Sequence, residues 1–137
     1  MKFGFVGTGA MVSAIVRGAA AAGFDASEFV LSNRTPQDAQ ALADALGSLA
    51  ADPALADEVG ATTARSNGSL AHQVDVLVLG VKPAVQPKVI EQIAHIVRER
   101  PEMCVVSLAA GRTLDAILED FGACVPLVRV MPNVAAQ

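Results

Sequence analysis

The sequence predicts an α/β protein: a doubly wound, mainly parallel sheet of about six strands with helices on both faces. Three observations predict it. Short apolar runs alternate with helix-period segments along the chain, the order that builds βαβ units. The run 74–81, VDVLVLGV, is mostly apolar on both of its faces, as a strand buried between two helical layers should be. A glycine turn, Gly7-Thr8-Gly9, separates the first apolar run from the first helix-period segment. At 137 residues the chain has the size of one domain.

Each element has its own signal. Residues 2–6 read as a short strand. Residues 10–22 follow as a helix, with Met11, Ala14, Ile15, Gly18 and Ala22 on one face and Gly23 as its stop. Residues 29–32 form a second strand. Thr35 can cap the next helix, with Pro36 at its first position and Gly47 at its end. Residues 48–60 read as a short extra helix or a surface insertion. Residues 61–64 read as a strand and 67–73 as a short helix or turn. After the 74–81 strand, Pro83 and Pro87 bracket a helix start, and Val85, Val89, Ile93 and Ile96 recur at helical spacing. A strand at 103–108, a helix at 113–121 and a last strand at 125–131 complete the alternation.

Composition narrows the chemistry. The net charge is −4 and the chain has no Trp or Tyr, which disfavours polyanion binding and base stacking. Nucleic acid is not an expected partner. Cys104 and Cys124 make neither a disulfide framework nor a zinc signature; they read as buried structural thiols. His72 and His95 are scattered, so no metal site is expected. No apolar run is long enough to span a bilayer, and the N-terminus lacks the pattern of a secretory signal. The expected location is the cytoplasm. Asp115, Glu119 and Asp120 read as the solvated face of a helix, and Ser107 has no triad partners.

In a parallel sheet of this kind, ligands bind beyond the C-terminal ends of the strands. After the first strand, Gly7 allows a tight turn, and Gly9 lets the backbone approach a pyrophosphate at a helix N-terminus. Val12 stands where the third glycine of G-x-G-x-x-G is expected. After the second strand, Ser32, Asn33 and Arg34 offer donors and a positive charge, with no acidic residue to hold a ribose 2′-hydroxyl. That favours NADP(H) over NAD(H). Lys82 and Pro83 follow the 74–81 strand, and Ala109, Ala110 and Gly111 follow the next. Arg112, just beyond, adds a third cation to Arg34 and Lys82 at this edge.

Taken in order, FGFVGTGAM, SNR, Asn67, VKP, SLAAG and RVMPN resemble pyrroline-5-carboxylate reductases over nearly the whole chain. VKP, SLAAG and MPN carry more of this than the glycine turn. The resemblance implies a Rossmann-type NADP-binding domain over residues 1–137. It implies hydride transfer to the C=N bond of 1-pyrroline-5-carboxylate, giving L-proline. It assigns Gly7, Thr8, Gly9, Ala10 and Met11 to the pyrophosphate, Ser32, Asn33 and Arg34 to the 2′-phosphate, and Asn67 to the adenosine ribose. Val81, Lys82, Pro83, Ala109, Ala110 and Gly111 would line the nicotinamide half, closed by Met131, Pro132 and Asn133. No catalytic residue is identified.

Three departures stand out. Val134, Ala135 and Ala136 follow MPN where Thr-Pro is usual, residues 48–60 make a longer connection, and the chain stops short. The family's helical second domain, which forms the dimer and supplies most of the imino-acid site, would lie beyond Gln137. The expectation is a cofactor-binding half that reduces little alone, drawn from a homodimer or higher oligomer. Two rivals remain: another NADP-dependent reductase, acting on a deazaflavin or on other imines, and a non-catalytic dinucleotide-binding module.

Overall fold

A computed structural model of the chain describes residues 1–47 and 62–133. The elements are β1 (Phe3–Val6), α1 (Ala10–Ala21), a 3-10 turn (Ala26–Glu28), β2 (Phe29–Ser32), α2 (Pro36–Gly47), β3 (Thr62–Thr63), α3 (Asn67–Ala71), β4 (Val76–Leu79), α4 (Gln86–Arg98), β5 (Cys104–Ser107), α5 (Leu114–Phe121) and β6 (Leu127–Arg129). All six strands pair in parallel in one sheet, in the order β3-β2-β1-β4-β5-β6. The chain winds outward from β1 to β3, crosses back to β4, and winds outward the other way. The crevice between the ends of β1 and β4 is therefore the topological switch point.

The strands divide their side chains between two layers, as a period of two requires. Val6, Val30, Leu77, Leu79 and Val105 pack with buried residues of α3, α4 and α5. Phe5, Phe29, Leu31 and Val78 pack with Val12 and Val16 of α1 and with α2. Phe29 meets Phe3 and Phe5 edge to face, with ring centroids 6.3 and 5.7 Å apart. Each fully buried side chain of this size contributes about 1.5–3 kcal/mol. Helices thus cover both faces, as the sequence predicts.

The strands are shorter than the apolar runs that announce them. Only Val76–Leu79 of the 74–81 run pairs with both β1 and β5. Val74 is a core residue below the strand, and Gly80 and Val81 already turn toward α4. The 125–131 run contributes only Leu127–Arg129, paired on one side with β5. Two sequence expectations need correction. Cys124 is exposed and Cys104 half-buried, because Cys124 lies in the surface connection from α5 to β6. Asp120 does not simply face solvent: it pairs with Arg112 at 2.7 Å. Residues 48–60 and 134–136, for which the sequence raised questions, lie outside the described residues.

No helix among the described residues is long and apolar enough to cross a membrane. Nor do three or more His, Cys, Asp or Glu side chains gather there as metal ligands.

Candidate functional site

The glycine turn is built for close approach. Gly7 has φ +91°, a conformation that side chains resist. A Cβ there would lie 3.0 Å from Val81 and 3.1 Å from the Gly80 carbonyl oxygen. The Gly7 N–H donates to the Ser32 carbonyl at 2.7 Å, which ties the turn to the end of β2. Gly9 differs. Its φ of −66° suits any residue, yet a Cβ there would meet no protein atom within 4 Å. The space beside Gly9 is open, and it lies where α1 begins. That helix has no side-chain cap and no acidic residue in its first turn, so its first N–H groups face outward at the positive end of the helix dipole. The hydroxyl of Thr8 is buried without a hydrogen-bond partner among the described residues.

Val12 is fully buried, and the room for it comes from across the crevice. A Cβ on Gly80 would collide with the Val12 side chain. The small residue that lets α1 sit close to the sheet has therefore moved from the helix to the end of β4.

A cleft of about 560 Å3 runs from this turn across the ends of β1, β2 and β4. It gathers Gly7, Ser32, Asn33, Arg34, Asn67 and Val81 of the sequence-predicted residues. A side-chain relay crosses it. The Ser32 hydroxyl donates to Asn67 Oδ1 at 2.8 Å, and Asn67 Nδ2 donates to Gln92 Oε1 at 2.7 Å. Asn67 is thus partly committed to the protein itself. Asn33 donates to Asp38 at 3.2 Å. Arg34 is exposed.

The cleft also holds residues that the sequence reading passed over: Arg65, Ser66, Lys88 and Gln92. Arg65 lies two residues beyond β3, so attention to every strand end would have found it. Lys88 and Gln92 come from α4, on the same face as Val85 and Val89.

The remaining predicted residues lie outside this cleft. Thr8, Ala10 and Met11 accompany the glycine turn. Lys82 and Pro83 follow β4, and Ala109, Ala110 and Gly111 follow β5. Met131, Pro132 and Asn133 follow β6, where Met131 is 66% exposed. Because all six strands are parallel, these loops share one edge of the sheet. Backbone bonds hold them in step: Leu108 N–H to the Leu79 carbonyl at 3.2 Å, and Val130 N–H to the Ser107 carbonyl at 2.9 Å. Ser107 is wholly buried and accepts from Gln86 Nε2 at 2.8 Å and from the Ala109 N–H at 3.3 Å. It braces the SLAAG loop. Arg112 is not a ligand-side cation. Its guanidinium turns back onto α5, toward Asp120 and the Ala116 carbonyl.

The model of the NADP oxidoreductase, coenzyme F420-dependent family matches residues 2–111. The chain belongs to this family. It is similar to pyrroline-5-carboxylate reductases of known sequence. Identity to that of Vibrio alginolyticus is 32% over 136 residues, covering 99% of this chain and 44% of the relative. Identity to that of Escherichia coli K12 is 31% over 139 residues, covering 98% and 45%. The chain thus spans under half the length of these relatives. Its fold matches a solved pyrroline-5-carboxylate reductase from Coxiella burnetii at a TM-score of 0.82, with 30% identity over 97% of this chain and 44% of the other. It also matches the Plasmodium falciparum enzyme, solved with NADP bound, at 0.72 and 23% identity.

Proposed function

We propose that this chain binds NADP(H) along the C-terminal edge of its sheet and forms the cofactor-binding part of a pyrroline-5-carboxylate reductase. The observation that carries this reading is the cleft at the switch point, which runs from Gly7 of the glycine turn to Arg34 beyond β2, with open space beside Gly9 two residues further on. The residues suit such a ligand: uncapped N–H groups for a pyrophosphate, and a cation, Arg34, in a cleft lined by no acidic side chain for a phosphate. When bound, the cofactor supplies a hydride from its nicotinamide ring. The chain's own task is to hold and orient. Gly7, Thr8, Gly9, Ala10 and Met11 serve the pyrophosphate, Ser32, Asn33 and Arg34 the 2′-phosphate, and Asn67 the adenosine ribose. Val81, Lys82, Pro83, Ala109, Ala110 and Gly111, with Met131, Pro132 and Asn133, line the nicotinamide end.

The substrate in this reading is a small cyclic imino acid, bound mainly by a further domain through which the whole protein oligomerises. The short span relative to the relatives supports this, as does the apolar rim of Val128, Val130 and Met131 at and beyond β6. The two unpaired cysteines accord with a cytoplasmic setting.

A thermal melt tests the reading. NADPH at a hundredfold excess over its Kd stabilises by about 2.7 kcal/mol, a rise in Tm of roughly 5–15 °C. The chain alone reduces little pyrroline-5-carboxylate; turnover matching an intact reductase contradicts the need for a further domain. A second reading exchanges the imine for a deazaflavin, supported by the family match. Hydride transfer to a deazaflavin, without transfer to pyrroline-5-carboxylate, decides for it.

A further inference from the structure

Three cations with no side-chain partner among the described residues line the cleft: Arg34, Arg65 and Lys88. They come from three separate elements, and the relay Ser32–Asn67–Gln92 fixes those elements to one another. Arg34 lies two residues after Ser32, Arg65 two before Asn67, and Lys88 one helical turn before Gln92. Each cation is thus anchored close to one member of a hydrogen-bonded frame. No acidic side chain lines the cleft, although the protein as a whole is acidic.

Lys88 is poorly placed for stability. It is the third residue of α4, whose first turn holds no acid. A cation there opposes the positive end of the helix dipole. A bound anion would remove that conflict, and would also offset the mutual repulsion of three cations around one cleft.

From this we infer that Arg65 and Lys88 act with Arg34 as a three-sided clamp on the 2′-phosphomonoester of the dinucleotide, and that the preference for NADPH over NADH is shared among them. This rests on the dinucleotide reading above. A phosphomonoester is near its dianionic form at neutral pH, with a second pKa of about 6. Charge from several sides suits it better than it suits the single charge on each pyrophosphate phosphorus centre.

The test is a titration of the chain and of its R65Q and K88Q variants with NADPH and with NADH. Arg17→Gln, on the exposed face of α1, controls for loss of charge outside the cleft. The clamp predicts that each cleft variant weakens NADPH binding about 3–10-fold, the scale of one charge-assisted hydrogen bond, and leaves NADH within twofold. The double variant loses more, and Arg17→Gln loses nothing. The unchanged NADH affinity also reports that each variant is folded. Equal weakening of both dinucleotides would put the cations on the pyrophosphate and overturn the clamp. Unchanged NADPH affinity in both variants would overturn it as well. A parent chain that binds neither dinucleotide would remove the dinucleotide reading itself, and the clamp with it.

Discussion

Gly7 and Gly9 stand two residues apart and answer to different constraints. Gly7 serves the fold. Its positive φ and the nearby Gly80 carbonyl leave no place for a side chain, so Gly7→Ala should cost about 1–3 kcal/mol in a denaturant melt. Gly9 serves the ligand. Gly9→Asp adds a favourable N-cap and a negative charge at the start of α1, in space that the protein leaves open. Its Tm should hold or rise, while its carboxylate takes the place of the pyrophosphate and abolishes NADPH binding. A Gly9→Asp variant that binds NADPH normally would mean that the open space is not the ligand's. Arg112 gives the opposite lesson. Sequence position put it at the ligand edge, but its head is spent on Asp120. Arg112→Ala should lower stability by about 1 kcal/mol and leave the NADPH-to-NADH preference unchanged. Where a side chain's head ends up is decided by its tertiary neighbours, and spacing along the chain does not encode it.

Among the elements, the pairing of Val12 with Gly80 is the clearest case of packing that no local motif reveals. The missing third glycine looked like a defect in the motif. In the fold, β4 supplies the gap that α1 fills. Gly80→Ala should therefore overpack the crevice and cost about 1–3 kcal/mol. Adding Val12→Ala should recover part of that cost, a coupling of about 0.5–3 kcal/mol in a double-mutant cycle. Simple additivity would contradict direct packing. The alternation of strands and helices was legible because period-two and period-3.6 patterns are local properties. Strand ends were not, since a strand stops where its neighbours stop pairing: all of residues 74–81 except Asp75 are apolar or glycine, but β1 and β5 pair only with Val76–Leu79. Gln86 escaped notice for a related reason. It opens α4 as an ordinary polar residue, but it is buried and donates to Ser107 under the SLAAG loop. Ser107→Ala would strand that donor, at a cost of about 1–3 kcal/mol.

At the scale of the whole molecule, an acidic chain places three cations without a side-chain partner among the described residues in one cleft at the switch point of a parallel sheet. The sequence pointed to that edge through the residues after β1, β2, β4 and β5. It missed Arg65 and Lys88 because they meet Arg34 only through the relay that joins α3 and α4 to β2. The central claim is that this edge binds a phosphorylated nicotinamide dinucleotide. The most direct measurement is the heat of binding of NADPH and of NADH to the purified chain. A Kd for NADPH at least about tenfold below that for NADH, one charge-assisted contact or more, is the predicted result. Equal affinity for the two, or binding of neither, would contradict it.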